Sequence, residues 1–508
     1  MFLTKHILQN STFRQFLLKN APYRYLENIT RTRIIKKVRS VIPTIPAYCE
    51  YLHKHKISTD PVNLKNLAIE DLPLTNKSEY IQKYPLKDIC ANGTIEDKYC
   101  LESSSGYSGE EQYWARNTYE DESFTRYLEV SSKQYLQIDK KSTLLIVCWA
   151  LGTWVTGEKF AHAARVVACN SNYKLTVITP GNNFPTVINI LNKFQGMFDQ
   201  IVIAGYPFFI KSLLLKGPEI GIDWSQARYH IIIGGEGFPE DLRDFFAKQL
   251  HSPVNTFGQS MIASAYGSAD TGIGVGHETP FSILIRRLAK KDARLSESLF
   301  GTSVHNLPVV FQFNPLNYLI ENVDGEIIIT APFNGVPLIR YNLHDSGGVI
   351  PYDQINTILE EHGYNPKKEL AELGHSPQDL WKLPILYVFG RSDGTIIYNG
   401  ANIFLENIKE ALALPEIVHS NTGRFTLSRI LLENFEPKIK IVIELSQGVE
   451  VTEQLKTMYE VAVISTLARV NKEYRDQLEK LHDKATPLIE FIHPSIHPEQ
   501  DTIKHKYI

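Results

Sequence analysis

The chain has 508 residues, of which 43% are apolar and 21% charged, and its formal net charge is -3. The length exceeds one ordinary domain and predicts a large domain with at least one smaller one, while the composition excludes a disordered or fibrous protein. The small net charge gives no reason to expect nucleic acid as a partner.

The cysteines and the first residues bear on the cellular compartment. Five cysteines without a CxxC pair exclude a disulfide framework, and Cys148, inside an apolar run, is predicted to be a small buried side chain rather than a nucleophile. No run approaches the roughly 18 apolar residues that span a bilayer. Lys5, Arg14 and Lys19 stand where a signal peptide would be apolar. We expect a cytoplasmic protein without a membrane span.

Residues 1–90 are predicted to form a helical lead-in, because apolar residues recur at helical spacing between prolines. From residue 144 the pattern changes to short apolar runs, typical of strands buried on both faces of a parallel sheet. These runs are residues 144–151, 175–178, 201–204 and 231–233. Helical segments are predicted between and after them, at residues 185–194, 208–215 and 239–250. This alternation predicts βαβ units.

The pattern becomes more β-like after residue 283, with a strand at residues 326–330, and changes again after Gly390. The fold class predicted is therefore α/β. Residues 1–389 are expected to form a large N-terminal domain of helices and mostly parallel β-sheets with a β-rich subdomain. Residues 390–508 are expected to form a small α+β domain.

A Ser/Gly run at residues 103–109 is the first candidate for chemistry. Small residues let the backbone approach an anion, and hydroxyls with N–H groups donate to phosphate oxygens. The run is not a Walker A loop, because no Lys-Ser/Thr pair follows it. A flexible turn without function is the alternative. Its candidate phosphate contacts are Ser104, Ser105, Gly106, Ser108 and Gly109.

Two further segments follow predicted strands. Residues 234–239 come directly after the strand at 231–233, beyond a strand end where ligands bind in open α/β sheets. In residues 265–270, Tyr266 offers an aromatic face for a base and Asp270 a carboxylate for Mg²⁺. Either segment could instead be an ordinary glycine-containing turn. The residues singled out are Gly235, Glu236, Gly237, Tyr266, Gly267, Ser268 and Asp270.

Three segments complete the set. They are Pro-Leu-Ile-Arg-Tyr-Asn-Leu-His-Asp at residues 337–345, Gly-Arg-Ser-Asp-Gly at 390–394, and the tail Ile-Lys-His-Lys-Tyr-Ile at 503–508. For the tail, a solvated basic terminus is the alternative.

In this order the six segments resemble the adenylate-forming superfamily of acyl-CoA synthetases, and within it the phenylacetate-CoA ligase branch. The most specific stretches are residues 325–345, where the family has GE, a strand and P-[VL]-I-R-Y-x-x-x-D, and residues 390–408, where it has GRSD, a strand and G-x-N-x-F. The resemblance implies activation of a carboxylic acid by ATP, with Mg²⁺, to acyl-AMP. The acyl group would then pass to a thiol, either CoA or the phosphopantetheine of a carrier protein.

The resemblance also implies roles for single residues. The Ser/Gly loop would hold the β- and γ-phosphates, Gly235, Glu236 and Gly237 would border the adenine with Tyr266 beside it, and Gly267 and Ser268 belong to the same site. Asp345 would accept hydrogen bonds from the ribose hydroxyls. Asp270 stands where the family has a glutamate for Mg²⁺. Arg391 would lie near the ribose or a phosphate.

The C-terminal domain is mobile in this family. Asp393 matches the hinge position, and Lys504 aligns with the lysine that bridges the substrate carboxylate and the α-phosphate. Because the glycine that usually precedes this lysine is absent, Lys506 competes with Lys504.

The family's acid pocket corresponds to the strand end at Trp149, the turn after it and the segment at residues 257–261. Two tryptophans and a phenylalanine favour a flat or aromatic acid, although buried aromatic residues can be simple core. The candidate pocket residues are Trp149, Gly152, Thr153, Trp154, Phe257 and Met261.

The phosphate loop departs from the family pattern. Glu110 and Glu111 replace its lysine and proline, and Tyr107 replaces a threonine. Two carboxylates there should repel a triphosphate unless they point outward or engage Mg²⁺ or a basic neighbour. Two alternatives therefore stay open: acyl transfer to an amine, giving an amide, and a degenerate homologue that binds a nucleotide or acyl ligand without turnover. A homodimer is compatible with either.

Overall fold

The computed structural model describes residues 16, 20–104, 111–304, 306–376 and 380–493. Lys504 and Lys506 lie outside the described residues, as do Ser105, Gly106, Ser108 and Gly109 of the predicted phosphate loop. Within the described ranges, no helix is long and apolar enough to cross a membrane.

The chain divides into two compact units. The first comprises Met1–Ser104 and Tyr113–Gly390, and the second comprises Ser105–Gln112 and Arg391–Ile508. The main division follows Gly390, where the sequence pattern changes, whereas grouping of the short segment Ser105–Gln112 with the second unit has no counterpart in the sequence pattern. Movement of the second unit about Asp393 stays a prediction.

The N-terminal part of the first unit is mainly helical. Its apolar side chains, including Ile34, Val38 and Leu52, pack in one core cluster with Ile327 and Leu338 from the later antiparallel strands. The helices are α1 (Tyr23–Val41), α2 (Pro46–Lys54), α3 (Pro61–Asn66) and α4 (Leu86–Ile89). The first two strands follow as the pair β1 (Cys100–Ser104) and β2 (Gln112–Arg116).

Five strands form the parallel part of the large sheet, in the order β4-β3-β5-β6-β7. β3 and β5 are buried along their whole length, which explains their uninterrupted apolar runs. The strands are β3 (Thr143–Val147), β4 (Leu175–Ile178), β5 (Gln200–Gly205), β6 (Arg228–Ile233) and β7 (Ile262–Tyr266). The helices are α5 (Thr118–Leu136), α6 (Val155–Asn170), α7 (Phe184–Phe194), α8 (Pro207–Lys216) and α9 (Glu240–Gln249). The predicted α/β class is confirmed.

The same sheet continues beyond β7 with strands whose described pairings are antiparallel, to 11 strands in all among the described residues, in the order β10-β11-β12-β13-β9-β8-β7-β6-β5-β3-β4. The added strands are β8 (Gly276–His277), β9 (Val309–Phe313), β10 (Leu319–Val323), β11 (Glu326–Ala331), β12 (Leu338–Ile350) and β13 (Ile385–Arg391). The remaining helices of this unit are α10 (Pro280–Lys291), α11 (Ala293–Phe300), α12 (Tyr352–Glu361) and α13 (Pro366–Glu372). The predicted β-rich part is thus continuous with the parallel sheet.

The second unit has its own α+β core. Alternate residues of its central strand β17 are buried, and they pack with Tyr459, Val463 and Leu467 of a long helix. The strands are β14 (Ile396–Tyr398), β15 (Ala401–Ile403), β16 (Asn421–Leu431), β17 (Pro437–Leu445) and β18 (Leu488–Ile492). The helices are α14 (Leu405–Leu412), α15 (Glu453–Val470) and α16 (Lys472–Leu481).

Candidate active site

The order of the parallel strands places a ligand crevice next to β3. The chain leaves β3 for β4 on one side and returns to β5 on the other, and ligands bind at such switch points beyond the carboxyl ends of the strands. Trp149 follows β3, Tyr206 follows β5, and Gly234 and Gly235 follow β6. At Gly235, φ is +90°, and a Cβ would lie 2.8 Å from Cε1 of Tyr206. Glycine is therefore required there for backbone geometry and space.

Two carboxylates predicted for nucleotide and metal contacts each hold a tyrosine hydroxyl. The Tyr266 hydroxyl, at the end of β7, donates to Oδ2 of Asp345 over 2.5 Å. The Tyr341 hydroxyl donates to Oδ2 of Asp270 over 2.6 Å. Because Asp345 and Tyr341 both lie on β12, the fold brings segments 70 or more residues apart into one acidic site. These four residues form what we call the nucleotide wall.

A buried arginine donates a hydrogen bond to the backbone of the loop that carries Asp270. Arg116, 1% exposed, donates through Nε to Glu102 over 2.6 Å and through Nη2 to the carbonyl oxygen of Ala269. Gly267 lets the loop fold closely on itself, because a Cβ there would lie 2.7 Å from the backbone nitrogen of Gly274. The loop before Asp270 thus has fixed backbone contacts.

The structure tests whether these residues suit Mg²⁺. In the part of the chain that is described, no three His, Cys, Asp or Glu side chains come together as a metal cluster. Mg²⁺ is commonly held by only one or two carboxylates together with substrate phosphates and water. Asp270 offers a carboxylate of which Oδ2 accepts a hydrogen bond from Tyr341. This geometry fits a metal held jointly with a nucleotide, not one held by the protein alone.

A cavity of about 120 Å³ lies beside the nucleotide wall. Its lining is mainly apolar, from α5, the strand ends and the loop after β7. Trp149 and Met261 of the predicted acid pocket line it together with Gly235, Tyr266 and Gly267. The α5 side chains Phe124, Tyr127 and Leu128 also line it, and sequence reasoning missed them. Apolar periodicity marks a buried helix face but not what that face covers.

The other predicted pocket residues do not line this cavity. The carbonyl oxygen of Thr153 accepts a hydrogen bond from the backbone of Ser103, and Trp154 pairs with the same residue, so the turn extends β1. Gly152 donates through its backbone N–H to Glu158. Phe257 is 43% exposed, and its ring contacts His375. The structure therefore places Gly152, Thr153, Trp154 and Phe257 outside the cavity wall.

Comparison with solved structures identifies the fold. No protein-family profile and no curated protein sequence matches the chain. A 2-hydroxyisobutyryl-CoA ligase, in complex with 2-HIB-AMP and CoA in the thioesterification state, superposes with a TM-score of 0.62 at 11% identity, over 94% of this chain and 88% of that one. The same ligase in its postadenylation state with R3-HIB-AMP gives a TM-score of 0.51 at 12% identity, over 92% and 86%.

The chain has the adenylate-forming fold. At such low identity the likeness establishes the fold alone. The narrower resemblance to the phenylacetate-CoA ligase branch stays a prediction.

In this adenylate-forming fold, Ser104 is the predicted phosphate-loop contact that the structure describes. Its Oγ accepts hydrogen bonds from Lys77 Nζ over 3.2 Å and from Trp114 Nε1 over 3.0 Å. Lys77 is positioned by Thr75, whose backbone pairs with Arg340 and Asn342. Sequence reasoning missed Lys77, since a single lysine in the helical lead-in carries no motif signal.

The turn after β6 contains the other predicted adenine contacts. Glu236 is buried, at 6% exposure. A Cβ at Gly237 would lie 2.8 Å from Cγ2 of Val309, so this glycine permits close packing on β9. Ser268 closes the turn before Asp270, where its Oγ accepts from the backbone N–H of Thr271.

In the second unit, Arg391 and Asp393 form an ion pair. Nη2 of Arg391 donates to Oδ2 of Asp393 over 2.6 Å, and the backbone N–H of Thr395 donates to Oδ1. Burial raises the pKa of Asp393, but the hydrogen bond and charge of Arg391 outweigh it, so the pKa lies below its ordinary value. Gly394 follows with φ at +77°. Lys472 also donates to Glu111 in this unit, which gives one loop carboxylate a basic partner.

Proposed function

We propose that the protein uses ATP to convert a carboxylic acid into acyl-AMP and pyrophosphate, and then transfers the acyl group to a thiol. The observation that carries the proposal is the junction of the nucleotide wall with a cavity of about 120 Å³ at the switch point of the sheet. The adenylate-forming fold supports the same reaction class.

In the first step, a carboxylate oxygen attacks the α-phosphorus of ATP, and pyrophosphate leaves. The cavity would hold the apolar body of the acid, with the carboxylate toward Gly235 and Tyr266, which line the cavity. Asp345 would accept hydrogen bonds from the ribose hydroxyls. The Tyr266 hydroxyl, which donates to Oδ2 of Asp345, would keep this carboxylate in position. Alignment of a weak nucleophile with the phosphorus supplies much of the rate enhancement.

Positive charge is needed around the phosphates during this step. Lys504 is proposed to bridge the carboxylate and the α-phosphate. Lys77 is proposed to supply charge at the base of the Ser/Gly loop, through its contact with Ser104. Mg²⁺ bound at Asp270 would neutralise phosphate charge. Ser105, Gly106, Ser108 and Gly109 would donate to the β- and γ-phosphates.

In the second step, a thiolate attacks the acyl carbon and AMP leaves. Rotation of the second unit about Asp393 is proposed to move Lys504 away from the acyl-AMP and to open the entrance for the thiol. Arg391 is proposed to contact the nucleotide. The thiol would belong to CoA or to the phosphopantetheine of a carrier protein. An amine would accept the same acyl group by the same exchange.

Pyrophosphate exchange tests the first step. The purified chain, ATP, Mg²⁺ and a panel of carboxylic acids should exchange labelled pyrophosphate into ATP with some acids and not others. CoA should then give a thioester with the active acids. When the active acids are incubated with CoA and, in parallel, with an amine, amide formation without thioester formation would favour an amine acceptor.

A non-catalytic homologue is the second candidate, favoured by Glu110 and Glu111 in the phosphate loop. It predicts that ATP or an acid binds while no acid supports exchange. Asp345→Ala is the matched control, since it should weaken ATP binding and thereby reduce specific exchange, while Asp345 is not among the residues that line the acid cavity.

A further inference from the structure

A second, smaller cavity adjoins the cavity beside the nucleotide wall. The larger cavity has a volume of about 120 Å³, and the smaller one, which we call the inner cavity, has about 20 Å³. Residues that border both cavities form the partition between them. They are Leu128, Ser132 and Leu136 of α5, Phe160 of α6 and Ile232 of β6. Phe160 has the largest side chain in this partition.

The inner cavity lies deeper along the parallel strands than the larger one. At the carboxyl edge of the sheet, the larger cavity is bordered by Trp149 after β3 and Gly235 after β6. The inner cavity is bordered by Leu145 and Val202, which pair across β3 and β5, and by Leu175, the first residue of β4. The inner cavity is therefore displaced toward the amino ends of the strands, away from the edge where the nucleotide is proposed to bind.

The spacing of residues on α6 gives the same direction. Thr156 borders the larger cavity and Phe160 borders both. Ala164 and Val167, farther along the helix, border only the inner cavity. Residues three or four apart lie on one face of an α-helix. This face of α6 therefore runs from the larger cavity to the inner one, and Phe160 lies where the two meet.

Aromatic packing holds the Phe160 ring at this position. Phe160 is 6% exposed, and its ring centroid lies 5.1 Å from that of Trp149 at an interplanar angle of 73°, within the range of edge-to-face pairs. Trp149 donates through Nε1 to the carbonyl oxygen of Gly234 over 3.3 Å. Phe160 is thus one aromatic contact away from the strand end toward which the substrate carboxylate is proposed to point.

The polarity and volume of the larger cavity define the body of the acid. No Lys or Arg is among the residues that border it, and its one carboxylate, Glu278, is bound by Arg243 over 2.6 Å. A charged substituent would have no counter-charge there. The volume of about 120 Å³ is somewhat smaller than an apolar cavity of about 150 Å³ that binds benzene in another protein. One ring or a short branched chain suits this space.

We propose that Phe160 ends the acid cavity and restricts the substrate to carboxylic acids with a compact apolar body of one ring or a short branched chain. A longer body would need the space between α5, α6 and the sheet, which the Phe160 ring closes off. This deepens, and rests on, the proposed function, because it names the substrate class of the same site and the residue that limits it.

Acids of increasing length test the limit. Calorimetry with the full chain measures binding of 3-methylbutanoate, of benzoate, phenylacetate, 3-phenylpropanoate and 4-phenylbutanoate, and of straight-chain acids from butanoate to decanoate. Pyrophosphate exchange gives kcat/KM for the same acids. Beyond the preferred length, affinity and kcat/KM should fall by about tenfold or more per added methylene group, the usual discrimination of an apolar pocket. A steady rise of affinity up to decanoate, or no binding by any acid, would overturn the proposal.

Variants assign the limit to the Phe160 ring. Phe160→Ala should join the two cavities and raise the ratio of kcat/KM for a longer acid to that for the preferred acid by about tenfold or more. Phe160→Leu should give a smaller shift in the same direction, and it replaces Phe160→Ala if that variant does not fold. An unchanged ratio in the folded variant would reject the role of Phe160.

A change behind the ring tests the partition itself. Ala164→Val narrows the inner cavity, so in the Phe160→Ala background it should reverse part of the shift. By itself, Ala164→Val should leave the length preference unchanged, because Phe160 already separates the acid from this space. A loss of longer acids caused by Ala164→Val alone would show that the acid reaches the inner cavity and would contradict the limit.

Phe246→Ala is the matched control for loss of a buried ring. Phe246 on α9 is 0% exposed and borders neither cavity, so its removal should lower stability without changing the length preference. Equal shifts from both phenylalanine variants would show a structural effect and reject the role of Phe160. Tighter binding of longer acids by Phe160→Ala without exchange by any acid would reject the proposed function but retain the length limit. Exchange with an unchanged length preference would do the reverse.

Discussion

The nucleotide wall and the side of the cavity formed by α5 and β8, which we call the acyl wall, differ in how their polar groups are hydrogen-bonded. On the nucleotide wall, Asp345 and Asp270 each hold a tyrosine hydroxyl at 2.5 and 2.6 Å. On the acyl wall, Tyr127 and His277 hold no hydrogen-bond partner within the described residues. The first arrangement orients acceptors before a ligand arrives, whereas the second leaves polar atoms buried without partners within the described residues. In the proposed function, ATP would bind at the nucleotide wall and the acid would occupy the cavity beside it.

The supports beneath the two walls also differ. The acyl wall rests on a buried ion cluster in which Arg243 contacts Glu240 and Glu278, all at most 2% exposed in their side chains. Glu278 in turn accepts the backbone N–H of Ser264 on β7. Burial raises the pKa of Glu278, against the opposing charge of Arg243. The charge of Arg243 therefore opposes the effect of burial on this carboxylate.

The largest effect is expected when this support is removed. Arg243→Met should lower the free energy of unfolding by about 3–5 kcal/mol, because it leaves the buried carboxylate of Glu278 without its cation. Urea denaturation of the full chain measures the change. Adding Glu278→Gln should recover part of the loss. A change below about 1 kcal/mol would mean that the acyl wall does not depend on this cluster.

The next largest effect is expected from the lysine that is proposed to contact the α-phosphate. Lys504→Ala should reduce adenylate formation by about 10²–10³-fold, the usual cost of losing one transition-state donor. Thioester formation from preformed acyl-AMP should change little, and Lys506→Ala should be mild. Rapid-quench assays separate the two steps. A severe Lys506→Ala defect with a mild Lys504→Ala defect would assign the role to Lys506.

Asp345→Ala separates binding at the two walls. It removes a charge-assisted acceptor worth roughly 1.5–3 kcal/mol, so ATP affinity should fall by about ten- to a hundredfold. Affinity for the acid alone should be unchanged. Calorimetric titration of each ligand gives both values. If ATP binds equally well to the variant, Asp345 does not belong to the nucleotide site.

Acid pH should lower the free energy of unfolding through His277 in the acyl wall. Burial lowers the pKa of His277 from 6.5 to about 4. Between these two pH values, His277 is mostly protonated in the unfolded chain and mostly neutral in the folded chain. Stability should therefore fall as pH decreases from about 6.5 to about 4, by up to about 1.4 kcal/mol per pH unit from this one group. His277→Phe should show a shallower slope in urea denaturation over this range. An identical slope would show that His277 already binds a proton in the folded state.

The smallest effect concerns Lys77. Lys77→Ala should raise the KM for ATP by about two- to tenfold, since one partly exposed hydrogen-bonding cation contributes about 0.5–1.5 kcal/mol. The KM for the acid should stay constant. Lys65→Ala, on an exposed part of α3, is the control. Equal KM values for ATP in all three proteins would remove Lys77 from the phosphate side.

Several features of the fold follow from local sequence alone. The continuous apolar runs at β3, β5 and β6 predicted buried parallel strands, because only strands covered on both faces lose the polar alternation. The change of pattern at Gly390 predicted a domain boundary, which stays a prediction; the second compact unit begins its main segment at Arg391 and also includes Ser105–Gln112. The roles inferred for Gly235 and Asp345 from motif order stay predictions.

Tertiary structure decided the partners and the pocket. Tyr341 meets Asp270 across 71 residues of sequence, and Lys77 meets Ser104 across 27, distances over which residue spacing carries no contact information. The predicted turn at residues 152–154 pairs with β1 instead of lining the cavity. The acyl wall depends on α5 and β8, which both line the cavity although they lie far apart in the sequence. Sequence determined the strands and the chemistry of their ends, because these depend on local pattern, whereas the specific walls required packing between distant segments.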